Sequence, residues 1–230
     1  MTTIIPDKAL VVSCQALEDE PLYGSHYMVA MARAAEMGGA AGIRANGVHD
    51  IGAIRKAVRL PIIGLNKQKF PGYDVYITPT FNDALRVHRA GADIVAIDGT
   101  SRPRPDGFTL EETIKKLHRH HIAVMADIST FEEGVKAAEA GADYISTTLS
   151  GYTSYSSKDE ERPNIDLVKK LAHALTVPVI AEGRIKSPQE VIHALEAGAR
   201  FVVVGSAITR PQWIVQHYVE TIRKWSGTSV

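Results

Sequence analysis

Four copies of one short pattern constrain this chain more than any other feature. Gly39-Ala40-Ala41, Gly91-Ala92-Asp93, Gly141-Ala142-Asp143 and Gly198-Ala199-Arg200 each close an Ala-rich stretch and open an apolar run, and their glycines lie 52, 50 and 57 residues apart. A glycine at the end of a helical pattern supplies the left-handed residue that stops a helix. The short apolar run after it reads as a strand buried on both faces. These runs are residues 42–45, 94–97, 144–147 and 201–204, and between them lie four more, 9–14, 61–65, 122–126 and 177–181. Eight strands alternate with helices.

The helices carry their own start signals. Thr109 with Glu112 and Ser129 with Glu132 fit capping boxes, and Ser187-Pro188-Gln189-Glu190 adds proline at a first helical position. Eight β–α units in 230 residues match a single (β/α)8 TIM barrel over 1–230. A doubly wound open sheet is the competing topology. The fourfold repeat and the lack of a GxGxxG turn after the first strand weigh against it. One segment breaks the rhythm: residues 66–80, with Lys67, Lys69, Pro71 and Gly72, read as a long loop after strand three, of the size often used for lids or binding.

Charge and cysteine content narrow the class of function. Lys and Arg number 26 and Asp and Glu number 26, so no net field draws the chain to nucleic acid or an anionic membrane. Cys14 stands alone and points to a reducing compartment, as a small buried residue more than a nucleophile. Pro6 and Asp7 occupy the place where a signal peptide needs its apolar stretch, and no run is long enough to span a membrane. A soluble, cytoplasmic protein is the expectation.

In such a barrel the chemistry gathers where strands end. The exits carry Gln15, Arg44 and Asn46, Asn66 and Lys67, Asp98, Asp127, Thr147 and Thr148, Glu182, and Ser206. Burying ionisable groups costs several kcal/mol unless they are paired, so so many together indicate a site. Asp98, inside Ala96-Ile97-Asp98-Gly99-Thr100, either caps the next turn or joins that site. After strands seven and eight, Gly183 and Gly205 with Ser206 can let backbone N–H groups approach an anion, the usual phosphate position of this fold. Arg184 and Arg210 add charge there, although Arg210 beside Pro211 equally fits a helix start or an interface.

Taken in order, Val12-Ser13-Cys14-Gln15, Gly42-Ile43-Arg44-Ala45, Gly64-Leu65-Asn66-Lys67, Tyr76-Ile77-Thr78-Pro79-Thr80, Ala126-Asp127-Ile128-Ser129, Ser146-Thr147-Thr148-Leu149-Ser150-Gly151-Tyr152, Ala181-Glu182-Gly183-Arg184 and Val204-Gly205-Ser206-Ala207-Ile208-Thr209-Arg210-Pro211 resemble the N-acetylmannosamine-6-phosphate 2-epimerase family. The resemblance runs from strand one through strand eight and includes the loop after strand three. Asn66 departs at a variable position and leaves Lys67 in register. The implied reaction moves the C2 proton of an open-chain amino-sugar phosphate. It implies Lys67 as proton shuttle, Glu182 as second acid or base, Asp127 as a group orienting Lys67 or bonding a hydroxyl, and Gln15, Arg44 and Thr147 as substrate ligands. Neither cofactor nor metal is needed, and the nine histidines, none at a strand exit, argue against the metal-dependent epimerases of this fold.

An unperturbed lysine, pKa near ~10.4, is protonated at neutral pH, so Lys67 needs burial or a neighbouring cation such as Arg44 to act as a base. The rival enzyme is a Schiff-base aldolase using the same lysine. A non-catalytic phosphosugar-binding regulator is the reading from another class. Trp213, Ile214, Tyr218, Ile222 and Trp225 form an apolar face at helical spacing that packs either on the barrel or on a second subunit, and a homodimer is expected.

Overall fold

The computed structural model describes residues 4–156 and 162–227. Eight parallel strands close into a barrel in chain order: β1 (Leu10–Cys14), β2 (Gly42–Asn46), β3 (Ile62–Leu65), β4 (Ile94–Asp98), β5 (Ala123–Asp127), β6 (Tyr144–Ser146), β7 (Val179–Glu182) and β8 (Val202–Val204). Outside them run α1 (Ser25–Met37), α2 (Val48–Ala57), α3 (Phe81–Arg89), α4 (Leu110–Arg119), α5 (Phe131–Glu139), α6 (Ile165–Ala174) and α7 (Pro188–Glu196). The short α8 (Ser206–Thr209) and the long α9 (Pro211–Ser226) end the chain. Closure decides between the two topologies that the pattern allowed. Among the described residues no helix is long and apolar enough to cross a membrane.

The repeated triplet has a structural job. Gly39, Gly91, Gly141 and Gly198 have φ of 87°, 116°, 98° and 102°, the left-handed turn expected after a helix. Two residues on, the N–H of Ala41, Asp93, Asp143 and Arg200 donates to the preceding strand at Leu10, Ile62, Val124 and Val179, at 2.7–2.9 Å. Each helix is thus stopped and the next strand set in register by the same three residues. Asp93 and Asp143 also accept the N–H of Ile62 and Val124 through their carboxylates, each at 2.8 Å.

Strand parity sorts the core into two bodies. Val11, Ile63, Ile94, Met125, Tyr144, Ile180 and Val203 point inward and fill the barrel. Their alternates Val12, Ile43, Ile62, Val95, Val124, Ile145 and Val202 point outward under the helices. Following the inward set toward the strand ends gives Ser13, Arg44, Asp98, Asp127, Ser146 and Glu182, and the buried apolar barrel becomes polar at its C-terminal mouth.

One expectation shifts. The α5 capping box is Thr130 with Glu133, not Ser129 with Glu132, because the helix begins one residue later; Ser129 N–H and Oγ also donate to Glu133, at 2.8 and 2.7 Å. The boxes at Thr109/Glu112 and Ser187/Glu190 stand as read. The segment after β3 is the long loop expected, and it is pinned across the barrel mouth. Lys67 and Ile77 pair as an antiparallel bridge, Gln68 N–H donates to Tyr76, and Val75 and Ile77 are buried over the barrel.

Candidate active site

A cavity of about 690 Å³ opens at the C-terminal ends of the strands. Its wall includes Gln15, Arg44, Lys67, Tyr76, Thr148 and Glu182 on one side and Gly183, Arg184, Gly205, Ser206 and Arg210 on the other. Residues from the ends of six of the eight strands converge there, as the strand-exit pattern predicts.

Arg44 is the organising charge. Only 1% exposed, it grips Asp127 with both terminal nitrogens, at 2.6 and 3.2 Å, and its Nη1 lies 3.0 Å from Glu182 Oε2. Burial works against its charge, but Asp127 and Glu182 together outweigh that and hold it protonated. Asp127 is fully buried beneath the cavity, where its carboxylate meets Arg44 and Thr148. Burial, with Asp127's like charge added, pushes the Glu182 carboxyl up to about 7 despite Arg44.

Lys67 stands on the mouth through its backbone. Its N–H donates to Asn46 Oδ1 at 2.8 Å, and its bridge to Ile77 fixes the other side. Behind Ile77, Thr78 adopts φ 46°, a strained value for a β-branched residue. Three bonds hold it there: its N–H to Asn66 O at 2.7 Å, its hydroxyl to Ala96 O at 2.6 Å, and Asn66 N–H to the hydroxyl at 3.0 Å. The Lys67 side chain is open to solvent at its edge yet crowded by the barrel mouth. That crowding first, and the Arg44 cation second, lower its pKa, with Glu182 pulling the other way. Tyr76, raised to about 12 by burial and by Asp127, stays a neutral phenol.

At the opposite end, Gly183 has φ 107° and Arg184 φ 57°, a sharp turn after β7. Gly205 precedes α8, whose first N–H groups lie ahead of any intrahelical acceptor. The two arginines differ. Arg184 spends its terminal nitrogens on the carbonyls of Ser150 (2.6 Å) and Gly151 (3.2 Å) and stacks on the Tyr152 ring at 4.3 Å. It clamps the loop after β6. Arg210 lies against Ser206 Oγ at 3.3 Å and pairs through Nε with Glu20 at 2.9 Å. Gln15 donates to Ser13 Oγ at 2.9 Å and keeps a buried Oε1 without a partner.

Thr147 lies elsewhere. Its hydroxyl donates to Glu182 O at 3.0 Å and accepts Glu182 N–H at 3.2 Å, tying β6 to β7 behind the site. Thr148 faces the cavity in its place. β6 ends at Ser146, and the single 3-10 turn Thr147–Leu149 that follows puts Thr148 on the cavity and Thr147 against β7. Asp98 is a buried cap, accepting Thr100 N–H (2.9 Å) and hydroxyl (2.6 Å) and pairing with Arg102 at 2.7 Å. Cys14 is buried and its thiol is pushed up to about 12, which makes it an inert filler. Glu20 went unread in the sequence, because no spacing ties residue 20 to residue 210.

The family model described as "Putative N-acetylmannosamine-6-phosphate epimerase" (NanE) matches residues 28–224. A relative named "Putative N-acetylmannosamine-6-phosphate 2-epimerase" from Caldanaerobacter subterraneus subsp. tengcongensis is 53% identical over 220 residues, covering 95% of this chain and 92% of that protein. A relative of the same name from Clostridioides difficile is 47% identical over 213 residues, covering 93% and 95%. Among solved structures, the N-acetylmannosamine-6-phosphate 2-epimerase from Clostridium perfringens superposes with a TM-score of 0.92 at 43% identity, covering 94% of each chain. The barrel, the charged mouth and these matches together place the chain in the N-acetylmannosamine-6-phosphate epimerase family.

Proposed function

We propose that this isomerase interconverts N-acetylmannosamine 6-phosphate and N-acetylglucosamine 6-phosphate by moving the C2 proton of the open-chain sugar, in amino-sugar catabolism of the kind that breaks down sialic acid. One observation carries the mechanism: a lysine pushed down and a glutamate pushed up face the same cavity. Matched shifts of this kind bring a base and an acid toward the same working pH. Opening the ring moves a proton from the C1 hydroxyl to the ring oxygen and leaves an aldehyde beside C2. Neutral Lys67 then takes the C2 proton, the electron pair passes to the aldehyde oxygen, and a proton returns to the other face of C2. Glu182, protonated, is the donor for that return or for ring opening. Arg44, held against Asp127, steadies the developing oxyanion.

The phosphate lies at the Gly183, Gly205 and Ser206 end with Arg210, where backbone N–H groups and one guanidinium converge. Arg184 acts there by holding the Ser150–Gly151 turn in place. Gln15, with an unpartnered Oε1, offers an acceptor to the sugar head.

The lowered lysine also suits a Schiff-base aldolase, and one experiment separates the two. With N-acetylmannosamine 6-phosphate and borohydride, the account predicts epimerised product and no reductively labelled Lys67; a covalent sugar adduct at Lys67 would point to imine chemistry instead.

A homodimer completes the proposal. None of α9 is buried, and Val215, Tyr218, Ile222 and Trp225 are 60%, 68%, 61% and 87% exposed. An apolar stripe of that length on one helix calls for cover, and a second copy supplies it. Light scattering should give a particle of two chains, and Ile222→Glu with Trp225→Glu should reduce it to one. A wild-type particle of one chain would reject the dimer. We place the reaction in the cytoplasm, consistent with a lone buried thiol.

A further inference from the structure

The hydroxyl of Thr148 has more oxygens within hydrogen-bond reach than it has hydrogens to give. Thr148 Oγ1 lies 2.8 Å from Asp127 Oδ1, 2.8 Å from Ser146 Oγ and 3.1 Å from Glu182 Oε2. A hydroxyl has one hydrogen and two lone pairs, so it can donate to only one of these neighbours. Asp127, gripped by both terminal nitrogens of Arg44, is an ionised, acceptor-only carboxylate. It lies closer to Thr148 than Glu182 does, and a charge-assisted bond takes the hydrogen. Ser146 then donates to Thr148.

The 3.1 Å contact with Glu182 is left with no hydrogen from Thr148. Arg44 does not supply one to Glu182 either. Nη1 has two hydrogens, and they lie along Asp127 Oδ1 (3.2 Å) and Met125 Sδ (3.5 Å). Its 3.0 Å approach to Glu182 is therefore proximity of charge without a hydrogen on the line. If Glu182 were ionised, two oxygens would face each other lone pair to lone pair in a half-closed cavity. A hydrogen on Glu182 Oε2 removes that conflict and gives the contact with Thr148 its donor.

We propose that Thr148 is a positioning residue that accepts a hydrogen bond from protonated Glu182, so that the chain Glu182–Thr148–Asp127 keeps Glu182 loaded as the acid of the site. The charged groups around Glu182 are Arg44 from β2, Lys67 beyond β3 and Asp127 from β5. Arg44 and Lys67 favour its ionised form, Asp127 and burial its neutral form. A Thr148 hydroxyl that donated to Glu182 would favour the ionised form as well; with its hydrogen spent on Asp127 it accepts instead and favours the neutral one. This deepens the epimerase reading only in assigning Glu182's proton to the reaction; the hydrogen count itself is independent of the substrate.

Two readouts test it on the full-length enzyme. Difference infrared spectra of wild type against Glu182→Gln at pH 6, where an ordinary glutamate of pKa ~4.3 is ionised, should show the carbonyl band of a protonated carboxyl. The band requires no turnover, so its absence refutes the hydrogen count whatever the substrate proves to be. In Thr148→Val the alkaline limb of the kcat–pH profile, where the protonated Glu182 is lost, should move down by about one unit, the size expected for loss of one buried hydrogen bond. Thr148→Ser should keep the limb and the band of wild type. A limb that moves up or stays in place in Thr148→Val would mean that the hydroxyl donates to an ionised Glu182 or does not touch its proton, and either overturns the proposal. An inactive but well-folded wild type would refute the epimerase reading while leaving the infrared test standing.

Discussion

Lys67→Met is expected to lower kcat for C2 epimerisation by about 10²–10⁴, the range that a positioned general base contributes. The stability of the variant should change little. Lys67 is held by its backbone, through the N–H bond to Asn46 and the bridge to Ile77, and its side chain is exposed at the mouth. Methionine keeps the aliphatic reach and removes only the titrating amine. Activity is read by following N-acetylglucosamine 6-phosphate, with the thermal midpoint alongside. A variant that unfolds with the wild type and retains more than about a tenth of kcat would remove Lys67 from the chemistry and leave Glu182 as the sole candidate base.

The second large effect is on stability. Arg44→Met should cost about 3–5 kcal/mol in urea unfolding, because it strands the Asp127 carboxylate in a site with no exposure and leaves Glu182 without its neighbouring cation. The size of the loss comes from the orphaned charge and not from the value of the pair itself. Arg44→Met combined with Asp127→Leu should therefore recover much of the loss while remaining inactive. If the double variant were as unstable as the single, the cost would lie in packing around the large buried side chain and the orphaned-charge account would fail.

Much of this architecture was legible because it is repetitive. The four glycine triplets set both a helix stop and a strand register, so periodicity and chemistry agree at each copy, and the eight strands fall close to the boundaries read from the sequence. The strand exits were legible for the same reason. What the sequence left open was direction. Thr147 and Thr148 are adjacent and chemically alike; only the 3-10 turn that begins where β6 ends separates the residue in the cavity from the one clamping β7. Arg184 sits in a motif that suggests a phosphate ligand, yet the left-handed turn at Gly183–Arg184 aims its guanidinium at the carbonyls of Ser150 and Gly151. Such a turn is a property of three-dimensional closure and leaves little trace in residue type.

Pairings between distant loops were beyond the sequence altogether. Glu20 and Arg210 meet because β1 and β8 are neighbours in the closed barrel. The same holds for Asn46, at the end of β2, and Lys67, just beyond the adjacent β3, where a residue visible only as a polar strand end proves to be the anchor of the proposed base. Local signals drift by one residue for a different reason. At α5 both Ser129 and Thr130 can cap, and Glu133 takes hydrogens from both, so the box is chosen by where the helix starts and not by spacing alone.

The most direct test of the central claim follows the C2 hydrogen. Purified protein is given N-acetylmannosamine 6-phosphate in deuterated water without added metal or nucleotide, and the sugar is followed by proton NMR. The account predicts N-acetylglucosamine 6-phosphate whose C2 position carries deuterium, with no exchange at any other carbon and no product from Lys67→Met. Product that keeps its original C2 proton without solvent exchange, or no product from well-folded protein, would contradict a solvent-exchanging proton transfer at C2.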